Sequence, residues 1–325
     1  MSVVVCTRNR ASDLADVLTG LLNQRVRPEL RWEIIVVDNG STDDTTTVVD
    51  DYAHRAPVEL RCIREREPGL SGARNRGWRE SEGEIVAFLD DDCIPDPVWL
   101  QSLADAYDAK EIASVGGRLL PLIDPADREK IDPAWLSVYT FDAGDSRCDI
   151  EMLTGANMSF RRRVLERTGG FDEQLGRIGQ CLLAGDENDL CRAIRREGVG
   201  WRILYQPDAV ARHKLRPGNL SDALRIKRDY CGGITNAIMD RKERAGRRII
   251  LRLVRMVRRL VVALRGMRPR FLGPAKSPLR EIARRQEFVG YARERSGGIE
   301  LACKDCPMQP ERERRLETLA SRSAA

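Results

Sequence analysis

The chain has 325 residues, 42% of them hydrophobic, which suits one large domain with its own core plus an appendage and falls short of three domains. Its net charge of +5 is unevenly spread, because residues 221–270 carry 15 Lys or Arg against 4 Asp or Glu, leaving the rest close to neutral or acidic. The basic stretch lacks the interleaved aromatics of a strand-binding surface, so no nucleic-acid partner is expected, and no apolar run approaches the ~20 residues that cross a bilayer.

Val3-Val4-Val5-Cys6 is too short for the core of an export signal, and nine cysteines scattered through apolar or helical contexts fit reduced thiols without disulfides, so a cytoplasmic location is expected. The first elements alternate in type. Ser2 to Cys6 reads as a strand, Ala11 to Gln24 as a helix, Trp32 to Val37 as a strand, Asp43 to His54 as a helix and Glu59 to Arg64 as a strand. Gly72 to Glu80 then reads as helix, Glu84 to Leu89 as strand and Pro97 to Asp108 as helix. Such alternation predicts an α/β fold with a mainly parallel sheet flanked by helices, whose ligands sit at the carboxyl ends of the strands.

After Val115-Gly116-Gly117 a Pro- and Asp-rich passage from Pro121 to Pro133 reads as a loop. Order resumes with a strand over Leu153 to Phe160, a short helix through Val164 and Leu165, a helix from Asp186 to Arg196 and a strand from Trp201 to Tyr205, and Gln206 to His213 closes the domain. The predicted boundary separates a catalytic domain over 1–218 from a basic helical region over 219–325 with a frayed tail. Within 248–265 the apolar residues fall on one helical face and Arg248, Arg252, Arg255 and Arg259 on the other, a pattern suited equally to an anionic membrane surface, at the inner face of the plasma membrane, and to protein packing. Cys303 and Cys306 have the spacing of half a zinc site and no second pair beside them.

The densest chemistry lies at Asp90-Asp91-Asp92, directly after the apolar run Ile85 to Leu89. Like charges held together at a buried strand end are tolerated mainly when a cation joins them. A helix cap needs one acid, so three require another reason.

The order and spacing of several segments resemble an inverting family 2 glycosyltransferase of the GT-A fold over roughly Ser2 to His213. They are Thr7-Arg8-Asn9-Arg10, Ile34 to Asp43 with Asp38-Asn39-Gly40-Ser41 at its centre, Gly69 to Asn75, the acidic triplet in the place of a DXD motif, Gly155-Ala156-Asn157-Met158, Gly169-Gly170-Phe171-Asp172 and Asp186-Glu187-Asn188-Asp189-Leu190. The resemblance implies sugar transfer from a nucleotide-diphosphate sugar to a glycan or lipid-linked acceptor hydroxyl, in polysaccharide, glycolipid or cell-envelope glycan synthesis. It implies a Mn2+ or Mg2+ cofactor near Asp90 and Asp92, with His213 as third ligand and Asp91 toward the donor ribose. Thr7, Arg8 and Asp38 would meet the nucleoside, Arg74 the pyrophosphate or base, and Gly155 and Asn157 the sugar. Family members usually read Glu-Asp where this chain has Asp186-Glu187, so Glu187 is the first candidate for the catalytic base and Asp186 the second. The alternatives are a sugar nucleotidyltransferase, disfavoured by the lack of glycine in Thr7 to Arg10, and a noncatalytic glycan-binding or scaffold protein, disfavoured by the presence of both acid sets.

Overall fold

In a computed structural model, residues 1–243 are described apart from 133–134, 180, 199, 218–219, 221–223 and 225–226. The 248–265 helix and the pair Cys303 and Cys306 lie outside the described residues. No helix among the described residues is long and apolar enough to cross a membrane.

The chain runs β1 (Ser2–Thr7), α1 (Ala11–Leu22), β2 (Glu33–Asp38), α2 (Thr45–Ala53), β3 (Glu59–Arg64), α3 (Leu70–Glu80), β4 (Ile85–Leu89) and β5 (Cys93–Pro95). It continues with α4 (Trp99–Ala106), β6 (Ile112–Ile123), α5 (Leu136–Tyr139), β7 (Cys148–Asp149), β8 (Asn157–Arg161), α6 (Arg162–Thr168), α7 (Asp186–Arg196) and β9 (Arg202–Leu215). The strands form one sheet in the order β3-β2-β1-β4-β8-β6-β9-β5, with β7 added on β9.

From β3 to β4 the pairing is parallel, as strand-helix alternation predicts. Val3, Val4, Val5, Ile34, Ile35, Val36 and Val37 are buried on both faces of this half, beneath α1 and α2 on one side and α3 on the other. Beyond β4, β6 and β9 still pair in parallel, but their neighbours do not. There β8 pairs antiparallel with both β4 and β6, and β5 pairs antiparallel with β9, so the second half is mixed. β4 and β6 run in the same direction with α4 between them in the chain, and β8 enters between the two against both.

Two strands are longer than their sequence signals, for one reason. β6 continues through Gly116 and Gly117 to Ile123, past the start of the loop expected from Pro121, and β9 continues through Pro207 to Leu215, past the strand expected to end at Tyr205. The β6–β9 ladder shifts register between Gly117 and Leu119, and there the pairing jumps on β9 from Gln206 to Ala211, which accommodates Pro207 where it owes no ladder hydrogen bond. A Cβ on Gly117 would run into the Ala209 carbonyl oxygen and the Asn157 amide, so glycine is required by close approach.

Residues 227–243 form a further helix. It packs Cys231 against Cys181 and Leu183, and its Thr235 hydroxyl donates to the Ala184 carbonyl at 2.8 Å. Lys242 reaches Asp189 on α7 at 2.7 Å, and Arg192 lies 3.2 Å from Glu243. This part of the basic region is thus joined closely to the loop and helix that carry Asp186 and Glu187.

Gly117→Ala should lower stability by about 1–3 kcal/mol through overpacking against backbone, read as a shift of the urea midpoint. An unchanged midpoint would mean that the β6–β9 bulge relaxes freely.

Candidate active site

The carboxyl ends of β1, β2 and β4 meet at a cavity of about 640 Å3. Thr7 and Asp38 are register partners at the ends of β1 and β2. Thr7 and Arg8 line the cavity, whereas Asp38, 3% exposed, does not, and one of its oxygens accepts from the Ser41 amide at 2.8 Å. Its neighbour Asn39 lines the cavity instead and ties the loop ahead of α3, donating to the carbonyls of Glu65 and Glu67 and accepting from the Gly69 amide.

The acidic triplet occupies the tight turn between β4 and β5, closed by the Cys93 amide donating to the Asp90 carbonyl at 3.1 Å. The β5–β9 register sets Cys93 opposite His213, which brings the His213 ring beside Asp92, Nε2 to Oδ1 3.2 Å. His213 Nδ1 lies 3.2 Å from the Tyr139 carbonyl, which can only accept, so Nδ1 carries the hydrogen and Nε2 is left toward Asp92. Two acceptors that close need a cation between them, either a proton or a metal ion. Burial works against a charge on His213, but the hydrogen bond and charge of Asp92 outweigh it and raise its pKa.

Asp92 responds in the opposite sense. Burial pushes its pKa up, and His213 and Arg10 more than offset this, holding the carboxyl well below the usual range. Arg10 donates to Asp92 at 2.7 Å and lies 3.7 Å from Asp91. Burial, followed by the Asp92 charge, raises Asp91 to about 7.

Adjacent ligands of an octahedral divalent ion lie about 3 Å apart, and the Asp92–His213 spacing of 3.2 Å fits that bite. Asp92, Cys93 and His213 present ligand atoms within 4.8 Å of one another. The Cys93 thiol is buried, its pKa well raised, and so is a poor ligand for a hard ion. Asp90, which the sequence paired with Asp92 at the metal, stands apart from that cluster with its Oδ1 held by Arg74.

Arg74 departs most from its expected role. It is 3% exposed, and its fork is spent within the protein, on Asp186 at 2.8 Å, Asp90 at 3.2 Å and the Gly155 carbonyl at 3.0 Å. A guanidinium so engaged joins the acid triplet to the start of α7 and is not open for a donor pyrophosphate. Burial disfavours its charge, and Asp186 and Asp90 more than compensate. Gly155 is correspondingly small because a Cβ there would meet the Arg74 guanidinium at 2.8 Å, so its close neighbour is a side chain and not a sugar.

Asn157 likewise leaves the expected list of sugar contacts. It is fully buried, accepts from the Trp99 indole at 2.8 Å and donates to the carbonyls of Arg118 and Ala209 at 3.0 and 2.9 Å, so its polar atoms are satisfied by the core.

Asp186 and Glu187 open α7 after Gly185, whose φ of 91° turns the chain into the helix. Burial opposes ionisation of Asp186, but Arg74 outweighs it and the pKa falls. Glu187 is less buried, and desolvation together with the Asp186 charge raises it to about 8. Arg10, Asn39 and Tyr139 were not singled out from sequence. The first two sit inside the quoted motif segments, whereas nothing local marks Tyr139, whose ring centroid lies 5.2 Å from that of His213.

The model of "Glycosyl transferase family 2" matches residues 2–169, just over half of the chain. A glucosyl-dolichyl phosphate glucuronosyltransferase of Haloferax volcanii is 28% identical over 246 residues, 74% of this chain and 77% of that protein. A chondroitin synthase of Escherichia coli is 26% identical over 253 residues, 67% of this chain and 35% of that protein. The mannosyltransferase PcManGT from Pyrobaculum calidifontis, in complex with GDP-Man and Mn2+, superposes with TM-score 0.52 at 25% identity, covering 73% of this chain and 63% of that one.

Arg74→Met should cost about 3–5 kcal/mol by leaving Asp186 buried without its partner, and the double variant Arg74→Met/Asp186→Leu should recover much of it. Urea unfolding checks both. A wild-type midpoint for Arg74→Met would refute the bridge.

Proposed function

Because the chain belongs to glycosyl transferase family 2, we propose that it is a metal-dependent inverting glycosyltransferase using a nucleoside-diphosphate sugar, with Glu187 as the base. One observation carries this reading: Arg74 joins two acid groups, through Asp90 the triplet at the cavity and through Asp186 the pair with Glu187 at the head of α7. The PcManGT complex with GDP-Man and Mn2+ supports a nucleotide-sugar donor and a divalent ion.

Asp92 and His213 would hold the ion, with Asp90 at the cavity edge, and a divalent cation there would supply Lewis-acid stabilisation of the departing diphosphate. The Tyr139 carbonyl keeps the His213 ring oriented and its Nε2 available. Arg10, held at Asp92, is placed to meet negative charge that develops in the cavity. Thr7, Arg8 and Asn39 line the nucleoside end.

Inverting transfer needs a base that removes the acceptor hydroxyl proton. Asp186 is bound to Arg74 and kept ionised, a poor proton acceptor. Glu187 has the stronger proton affinity because burial and Asp186 oppose its charge, and it is the more exposed of the two. Asp186 thus tunes Glu187 and holds it in place.

In a panel of nucleotide sugars with Mn2+, Glu187→Gln should reduce kcat by about 100- to 10,000-fold, and Asp92→Asn should abolish the metal dependence. The anomeric proton of the product, followed by NMR, should show inversion. Retention, or full turnover by Asp92→Asn, would refute the mechanism.

The pH profile tests the assignment separately. A base must be unprotonated to act, so kcat/KM should rise about tenfold per pH unit below the Glu187 pKa and level above it, which its surroundings place at about 8. Loss of that limb in Glu187→Gln is expected, and its persistence would move the role to Asp186.

A further inference from the structure

The first turn of α7 carries Glu187 between two other acids, Asp186 and Asp189, and each of these is held by a cation from a different part of the chain. Asp186 is paired with Arg74 on α3. Asp189 is paired with Lys242, near the end of the helix over 227–243, at 2.7 Å. The second tie has no part in the mechanism above.

Lys242 also meets Asp172, in the loop after α6, and the other carboxylate oxygen of Asp172 accepts from the Gln174 amide at 2.8 Å. Beside it, the Phe171 amide donates to Asn75 Oδ1 at 2.9 Å, and the Phe171 carbonyl accepts from Asn75 Nδ2 at 2.8 Å. Asn75 is buried and follows Arg74 on α3. The start of α7 is thus returned to α3 by two routes. One runs directly through Arg74 and Asp186, the other through Asn75, Phe171, Asp172 and Lys242 to Asp189.

A single ion pair leaves a helix free to rock about it. Two pairs at positions three apart, which are neighbours on a helical surface, fix both its rotation and its setting along the axis. A general base works only within hydrogen-bond reach, so a displacement of about 1 Å costs catalysis heavily.

The helix that supplies Lys242 is seated on the entry to α7. Its buried Thr235 and Met239 close over Gly185, with the Thr235 methyl 2.7 Å from where a Cβ on that glycine would stand. Farther along, Arg192 on α7 lies 3.5 Å from Asp240 and 3.2 Å from Glu243. That contact joins the same two helices beyond Glu187, so it separates docking of the helix from control of the first turn.

We propose that Lys242 is a positioning residue for Glu187: by bridging Asp172 and Asp189 it holds the first turn of α7 where the Glu187 carboxylate meets the acceptor hydroxyl. A residue well beyond the family-matched segment 2–169 then completes the catalytic centre. The assignment rests on the reading of Glu187 as the base.

In the full chain with Mn2+ and the panel of nucleotide sugars, Lys242→Met should lower kcat by about 10- to 100-fold. Donor KM, and the affinity for UDP and GDP read by calorimetry, should stay within about twofold. Lys242→Arg should recover most of the loss, since a guanidinium can meet both carboxylates. In a Glu187→Gln background Lys242→Met should cost nothing further, because residues acting through one group are not additive. Arg192→Gln should lower the urea midpoint and leave kcat within about threefold. The Lys242 side chain is 32% exposed, which favours folding of its variants, and Asp189→Asn tests the same tie from α7. Amide hydrogen exchange over 186–191 should quicken in Lys242→Met. Exchange is read without turnover, so failure of glycosyl transfer and failure of this tie are told apart. Wild-type kcat or unchanged exchange in Lys242→Met overturns the proposal. So does an equal loss of kcat in Arg192→Gln, or the same fold loss repeated in the Glu187→Gln background.

Discussion

Arg74, with a side chain 4% exposed, sits between Asp90 and Asp186 and donates to the carbonyl of Gly155 as well. An arginine so enclosed is tolerated because both terminal nitrogens of the guanidinium meet oxygens. The pairing fixes α3, the end of β4, the turn before β8 and the start of α7 relative to one another. Asp90 and Asp186 are thereby held on the two terminal nitrogens of one rigid planar cation.

That constraint orders the electrostatics around it. Asp186, ionised by Arg74, supplies the charge that raises its neighbour Glu187, so one buried carboxylate remains a counter-ion while the next gains affinity for a proton. A parallel division operates at the triplet, where Asp92 is kept ionised by His213 and Arg10 and Asp91 is pushed upward. In each case adjacent acids acquire different proton affinities through their surroundings and not through their own chemistry. The strand carrying His213 is fastened in turn, since Lys214 and Arg216 both reach Asp13 on α1.

Much of the frame was legible locally. The apolar strands ending in Thr7, Asp38 and Leu89, and the helices between them, follow from periodicity, and the segments that resemble family 2 enzymes lie along this frame. The second half of the sheet was less legible. Antiparallel return of β8, the short β5 and the full length of β9 depend on which strands meet, and Pro207 is passed outside the β6–β9 ladder by a shift of register.

The sequence by itself determined the family, the parallel half of the sheet and the acids that crowd its edge, because strand and helix periods and short motifs are local properties. Only the tertiary structure decided what those residues face. It turned Arg74 from a ligand for phosphate into a bridge, Asn157 from a sugar contact into a buried tie for Trp99, and Gly155 into clearance for a guanidinium. It also set Asp92, rather than Asp90, against His213, and brought Lys242 to Asp172 and Asp189. Those outcomes rest on contacts between residues dozens to more than a hundred positions apart, and the charge or exposure of a side chain is fixed only when such neighbours arrive.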